Sequence, residues 1–283
     1  MILDIPKFPL AHITDVALDW LTRNFSWLTQ ALSHITSVLI NAIVAGLLFL
    51  PPWLLILIVA GIAWRAAGRR VAIFSALGLL FLWNLRLWEP TVQTFTLVLI
   101  STLIAVAIGL PLGIAAALSK RTSKVVMPIL DFMQTMPAFV YLIPAIPFFG
   151  LGAVSASVAT VIFATPPTIR LTALGIRQVP ADLIEAADAF GSTRRQKLFK
   201  VQLPMAVPTI MAGVNQTIML ALSMVVIAAM IGAGGLGGEV WQAIQRLEPG
   251  KGFQAGLAIV ILAMILDRVT QNIGRGSRKS GNP

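Results

Sequence analysis

The sequence predicts an all-α integral membrane protein of about seven transmembrane helices, and three observations carry that expectation. The first is composition: of 283 residues, 57% are hydrophobic and only 11% charged, against roughly 25% charged in soluble domains. A water-soluble core cannot hide that much apolar surface. The second is that residues 24–64, 90–119, 132–169 and 201–238 contain no Asp, Glu, Lys or Arg. Each stretch exceeds the roughly 20 residues that a helix needs to cross a bilayer. The third is where the basic residues fall. Arg65, Arg69 and Arg70, then Lys120, Arg121 and Lys124, then Arg170, Arg177, Arg194, Arg195, Lys197 and Lys200, then Arg268, Arg275, Arg278 and Lys279 make up 16 of the 21 Lys and Arg residues. Lys7, Arg23, Arg86, Arg246 and Lys251 remain outside these clusters.

Placing the four clusters on the cytoplasmic side satisfies the positive-inside rule, with the N-terminus outside and the C-terminus in the cytoplasm. The net charge of +10 thus reflects topology rather than a nucleic-acid partner, because the basic residues sit in short groups between apolar runs. With no cysteine, a disulfide framework and a thiolate metal site are both excluded. His12 and His34 are isolated near the N-terminus, and no metal site is expected. The first 33 residues lack a basic start followed by a compact apolar stretch, which argues against a cleaved signal peptide.

In chain order, residues 1–50 form an N-terminal segment in which Asp15, Asp19, Arg23 and His34 alternate with Leu, Trp and Ile at helical spacing. Over 10–48 this suits an amphipathic helix at the outer interface or a helix packed on its neighbours. Pro51 and Pro52 break the pattern, and accessory membrane helices follow over 51–90: a span starting between Ile43 and Trp53 and ending near Trp64, then one over 71–88. Further spans are expected over 92–118, 127–150, 153–172, 206–232 and 253–271, with Pro144, Pro147, Gly150 and Gly152 making a tight outer hairpin inside the long uncharged run. Six of the seven tryptophans lie near expected span ends or in the interfacial N-terminal region, with Trp241 in an outer loop, an arrangement that suits an aromatic belt. A short tail over 275–283 closes the chain.

The 173–205 connection is polar, basic and the longest on the cytoplasmic side, and a loop of that length in a compact protein usually has a function. Its sequence from Val179 to Pro204, VPADLIEAADAFGSTRRQKLFKVQLP, predicts two short helices with a hinge. Asp182 can N-cap the first helix while Glu185 reaches back to complete a capping box. Gly191 suits a left-handed helix end, Ser192 or Thr193 can cap the second helix, and Pro204 is expected to stop it.

The pattern Glu185-Ala186-Ala187, Gly191 and Leu203-Pro204 resembles the cytoplasmic loop of ABC importer permeases, in which EAA, three residues, Gly, nine residues, Ile, one residue and Leu-Pro recur. Val201 replaces the usual Ile. The resemblance implies a five-helix type I importer core over 91–274 and a coupling helix that docks on a separate ATPase. Glu185 also reads as a plain capping carboxylate. Gly109-Leu110-Pro111-Leu112-Gly113, the run LDFMQTMPAFVYLIP from Leu130 to Pro144, MIGAGGLG from Met230 to Gly237 and AIVILAMILDRVTQ from Ala258 to Gln271 look like permeases for glycine betaine, proline betaine and choline. Methionine permeases share the architecture. The resemblance further implies an extracytoplasmic substrate-binding protein, a permease homodimer in the bacterial inner membrane, and ATP and Mg bound by the partner ATPase, with no cofactor in this chain. A homodimer also fits because five core spans cannot easily enclose a pathway. From a different class, an ion-coupled carrier or membrane enzyme would show ionisable residues deep in its spans, and almost none occur here.

The remaining candidates are weighed individually. Gly232, Gly234 and Gly237 satisfy GxGxxG, but an apolar span precedes them where a dinucleotide site needs a strand; Gly234 is expected in a flexible or closely packed turn at the outer pore mouth. No GxxxxGK[ST] occurs, so no ATPase is expected in this chain. Asp131 is expected to pair with Lys124 on the same helix face or to make a helix-end contact, or else to serve a cytoplasmic gate. Gln134, Thr135 and Tyr141 follow at spacings that suit either a polar pathway or interhelical packing.

Overall fold

The computed structural model describes residues 9–279, with side chains as far as Asn272. Among the described residues the chain is helical and no strand forms. The N-terminal half supplies α1 (Leu10–Asn24), α2 (Ser26–Phe49), α3 (Pro52–Ala67), α4 (Arg69–Asn84), α5 (Trp88–Leu118) and α6 (Lys120–Thr135). A 3-10 turn (Ala138–Tyr141) leads into α7 (Leu142–Phe149), followed by α8 (Ala153–Arg177), α9 (Ala181–Ala189) and the single turn α10 (Arg194–Lys197). A π turn (Leu198–Gln202) then runs directly into α11 (Leu203–Ala229), before α12 (Gly235–Gln245) and α13 (Pro249–Lys279).

Five helical stretches are long and apolar enough to cross a membrane: α2, α5, α8, the run Arg194–Ala229 that joins α10 to α11, and α13. A sixth apolar stretch is broken. Where one span was expected over 127–150, α6 meets the following 3-10 turn and α7 at 113°. Pro137 causes the break, because it holds Met136 extended (φ −75°, ψ 134°) and has no amide to carry the helix on. The helices α3 and α4 are 16 residues each, about 24 Å at 1.5 Å per residue, and they pack on each other as a short hairpin. The interfacial segment expected over 10–48 also differs. Only α1 is a short helix with no buried residue, whereas Ser26–Phe49 is a candidate crossing by length and composition. The Pro51-Pro52 break falls where expected, with Pro52 in the first turn of α3. Residues 275–279 of the expected tail continue α13, and 280–283 lie outside the described residues.

The centre of the molecule is the stack of α5, α8 and α11, and α8 is the most enclosed of the candidate crossings. Small residues let these helices approach closely, which is the main route to helix association where lipid removes the hydrophobic incentive. On α5, Gly109 faces Thr168 and Gly113 faces Thr172 and the Ile169 carbonyl; a Cβ on Gly113 would lie 2.6 Å from Thr172 Cβ and 2.8 Å from that oxygen. Gly213 on α11 gives α8 the same access near Pro167 and Thr168. Buried hydroxyls add cross-links within this stack: Thr168 and Thr217 Oγ1 atoms are 2.7 Å apart, and Ser101 and Ser157 Oγ atoms 3.0 Å apart.

The helix α13 is tied to α11 by polar side chains. Asp267 Oδ1 accepts from Asn215 Nδ2 at 2.8 Å and from Gln271 Nε2 at 2.6 Å, and Thr270 Oγ1 donates to Asn215 Oδ1 at 2.8 Å. Trp88 departs from the expected aromatic belt, being buried in an apolar cluster with Leu79, Leu82, Leu222 and Leu262.

The close approach of α5 and α8 makes a direct prediction. Gly113→Ala forces a methyl group against backbone and a β-branched side chain, and overpacking of this kind costs about 1–3 kcal/mol. The thermal unfolding midpoint in detergent should fall for this variant and hold for Gly46→Ala, where no atom lies within 4 Å of the added carbon. Equal midpoints for the two would contradict the packing described.

Candidate functional site

The 178–204 segment folds as the expected helix–turn–helix, with different caps. Pro180 stands at the N-cap of α9, which begins at Ala181, so Asp182 lies inside the first turn and no side chain caps this helix. The capping box expected from Asp182 and Glu185 is therefore absent; the fixed φ of Pro180 takes over the entry into the helix. The exit matches expectation. Gly191 adopts φ +72°, its amide bonds Asp188 O at 2.9 Å, and the Ser192 amide bonds Ala187 O at 2.9 Å. These are the paired bonds of a Schellman end, which needs a left-handed residue.

The capping box sits on the next helix instead. Thr193 Oγ1 accepts from the Gln196 amide at 3.3 Å, and Gln196 Oε1 accepts from the Thr193 amide at 2.8 Å. Lys197 Nζ reaches Asp188 Oδ1 at 2.6 Å and so braces α10 on α9 across the turn. Leu198 is buried with Ile176, Ala206 and Ile210, and Leu203 packs beside them, which anchors the loop on the ends of α8 and α11. Pro204 does not stop the helix. It follows the π turn directly, and the widened turn accommodates a residue that cannot donate to the carbonyl four positions back. Glu185 and Ala186 are exposed and Ala187 half-buried. Glu185 lines a cavity of about 310 Å³ with Arg177 and Gln202.

Phe190 was expected with Leu183, Ala186 and Ala187 on or near one apolar face of the first helix, and Arg177 had no marked role in the sequence. Phe190, next to Gly191, is 90% exposed, an aromatic ring at the tip of the loop. Arg177 donates from its guanidinium to the Ala116 carbonyl and ties the end of α8 to the last turn of α5.

The second group of candidates separates into two places. Asp131 pairs with Arg170 of α8 rather than with Lys124, because α6 packs beside α8 and brings its carboxylate against the neighbouring helix. Arg170 also donates to Gln134 Oε1 at 2.6 Å. Thr135 is exposed close by and donates to the Phe132 carbonyl of its own helix at 2.8 Å. Tyr141 stands apart from this exposed group: it is buried, donates its hydroxyl to the Met133 carbonyl across the break, and meets Phe163 edge-on at 5.7 Å.

Gly234 lies in a left-handed turn (φ +72°) at the N-cap of α12. The helix start is held by α5: Gln93 Oε1 accepts from the Gly235 amide at 2.9 Å and Thr94 Oγ1 from the Leu236 amide at 2.8 Å. Gly237 is pressed on α11, where a Cβ would collide with the Val225 carbonyl oxygen. The expected outer loop thus contains a packed helix that includes Trp241.

With this geometry in place, residues 109–279 match the family described as binding-protein-dependent transport system inner membrane component. The chain belongs to this family. The permease is 54% identical to the glycine betaine transport system permease protein OpuAB of Bacillus subtilis over 98% of its own length and 99% of that protein. It is 49% identical to the glycine betaine/proline betaine permease protein ProW of Escherichia coli, over 97% of this chain and 77% of that one. Its fold is similar to the inward-facing MetNI methionine ABC transporter, with a TM-score of 0.63 at 24% identity, over 68% of this chain and 95% of that one. The apolar helices and this family membership make the permease an inner-membrane protein.

The α12 cap gives a second prediction. Thr94→Val removes the acceptor of a buried amide, and an unsatisfied buried donor costs about 1–3 kcal/mol. Thr94→Ser keeps the hydroxyl and should retain most of the thermal stability that the valine variant loses. Equal losses would show that the hydroxyl does not hold α12.

Proposed function

We propose that this chain is the membrane-spanning subunit of an ATP-driven importer for glycine betaine or a related quaternary ammonium solute such as choline. The observation that carries this reading is the 54% identity, over nearly the full length of both chains, to a permease named for glycine betaine transport. The methionine alternative rests on likeness of fold alone, at 24% identity. In this reading an extracytoplasmic binding protein delivers the solute, two permease copies enclose the pathway, and a separate ATPase holds ATP and Mg. The permease itself needs no cofactor.

The helix–turn–helix of Glu185, Ala186, Ala187 and Gly191, set on the base made by Leu198 and Leu203 with Pro204 following, is the surface offered to the ATPase. Small side chains at Ala186 and Ala187 let a partner approach the α9 backbone, and the exposed Phe190 ring is the kind of aromatic anchor that dominates interfaces. Asp131, Gln134 and Thr135 belong to the gate on the cytoplasmic side, while the Gly234 turn and α12 shape the outer mouth. With the basic clusters in the cytoplasm, the N-terminus lies outside only where Ser26–Phe49 stays at the interface. Reporters fused at the two termini are expected on opposite sides of the membrane, and both on the same side would show that Ser26–Phe49 crosses and overturn the outside N-terminus.

Reconstituted vesicles carrying the permease, its ATPase and the binding protein should take up radiolabelled glycine betaine only with ATP, and a competition panel with choline and methionine should rank the solutes. Gly191 tests the link to the ATPase. No atom of this chain lies within 4 Å of a Cβ built there, so within the permease a substitution acts through the backbone alone. Valine at a left-handed position carries strain of about 1–3 kcal/mol, whereas asparagine tolerates it. Gly191→Val is expected to insert in the membrane yet lose most substrate-stimulated ATP hydrolysis and uptake, and Gly191→Asn to retain both. Parental rates for the valine variant would remove the coupling role.

A further inference from the structure

We propose that Arg170, Asp131 and Gln134 form a station for zwitterionic cargo, whose ion pair opens by exchanging partners with the two ends of the solute. The inference rests on the importer reading above and narrows it to glycine betaine and other zwitterions, with choline rejected at this gate. Asp131 and Arg170 are the charges that bound the uncharged run 132–169, and the fold brings the two ends of that run together. Their side chains are 70% and 32% exposed. A charged pair next to membrane-spanning helices is costly if it faces lipid, so such a face belongs on a polar space or a protein partner.

The pair is built for exchange. The guanidinium gives one nitrogen to Asp131 Oδ1 and the other to Gln134 Oε1 at 2.6 Å, so it lacks the two-pronged carboxylate geometry that makes an arginine pair strong. An exposed single contact of this kind contributes little to stability. A zwitterion replaces both halves at once: its carboxylate takes the guanidinium, its cationic end faces Asp131, and no charge is left alone. A solute that is only a cation strands Arg170, and one that is only an anion strands Asp131. Stranding a charge is the repulsive element from which selectivity comes. Weak, exchangeable contact is also what a pathway needs, since tight binding slows release.

The fork is positioned to move a helix when it opens. Leu130 is the one residue of α6 that is buried among the described residues, and Arg170 supplies the ion pair and the side-chain bond that join α6 to α8. Release of the fork by cargo therefore frees α6 relative to the rigid α8.

The chain has no cysteine, so labels can be placed without background. Val125→Cys on α6 and Leu174→Cys on α8 are exposed positions outside the fork, and spin labels there report the α6–α8 distance in the assembled complex in vesicles. At constant ionic strength, glycine betaine should shift that distance to longer values, while choline chloride and sodium acetate at the same concentration should not. Adding Asp131→Asn and Arg170→Gln to the labelled chain should abolish the shift. No shift with betaine, an equal shift with sodium chloride, or a shift that survives the double substitution would each overturn the station. Uptake measured in the same vesicles keeps the importer reading separate, because ATP-driven uptake without a betaine shift sinks the station alone.

Discussion

Everything else in this molecule depends on how closely α5 and α8 approach. Lipid tails are as apolar as leucine, so two membrane helices gain little by hiding from them and must be held by contact between their own atoms. Gly109 and Gly113, one turn apart, present bare backbone to Thr168 and Thr172, and α11 joins the same seam through Gly213 and the Thr168–Thr217 hydroxyl contact. The two prolines of α8, Pro166 and Pro167, are buried inside this seam, where neighbouring helices compensate for their missing amides. From this stack the 178–204 segment emerges at one end, and the turn that leads into α12 at the other.

The fold was largely legible in the sequence where its physics is local. Long charge-free runs mark α5, α8 and α11, because a single charge at the bilayer centre is expensive enough to be excluded. Legibility failed at Pro137. The uncharged run 132–169 shows that the chain stays in an apolar environment but not in what direction it travels, and a proline within such a run reads as a kink or a break only once the packing is known. It failed also at α2, where polar residues near the start of the segment masked an apolar stretch of crossing length.

In the 178–204 segment, spacing revealed the hinge but not every cap. Gly191 was readable because a glycine after a run of helix formers has few other uses. Asp182 misled because it satisfies the pattern of a capping residue, while Pro180 two positions earlier starts the helix without one. Arg170 was invisible as a partner of Asp131, since contact between residues 39 apart follows from the packing of α6 beside α8 and from nothing in either neighbourhood. The acceptors Gln93 and Thr94 were hidden for the same reason, their targets lying 142 residues away. A glycine-rich turn followed by a helix does signal that some acceptor must come from elsewhere, because the first amides of a helix have no partner within it.

The π turn at Leu198–Gln202 carries a consequence for phase. A helix advances about 100° per residue, so one residue more in a single turn rotates all that precedes it by about that angle relative to an unbroken helix. The azimuth at which α9 and its aromatic tip leave the membrane core is thus set by a count of residues between Lys197 and Leu203, and not by the strength of any contact in the loop. Relatives that share the loop but lack the extra residue would present the same side chains to a different quarter of the compass, which makes the length of this turn an element of partner choice in its own right.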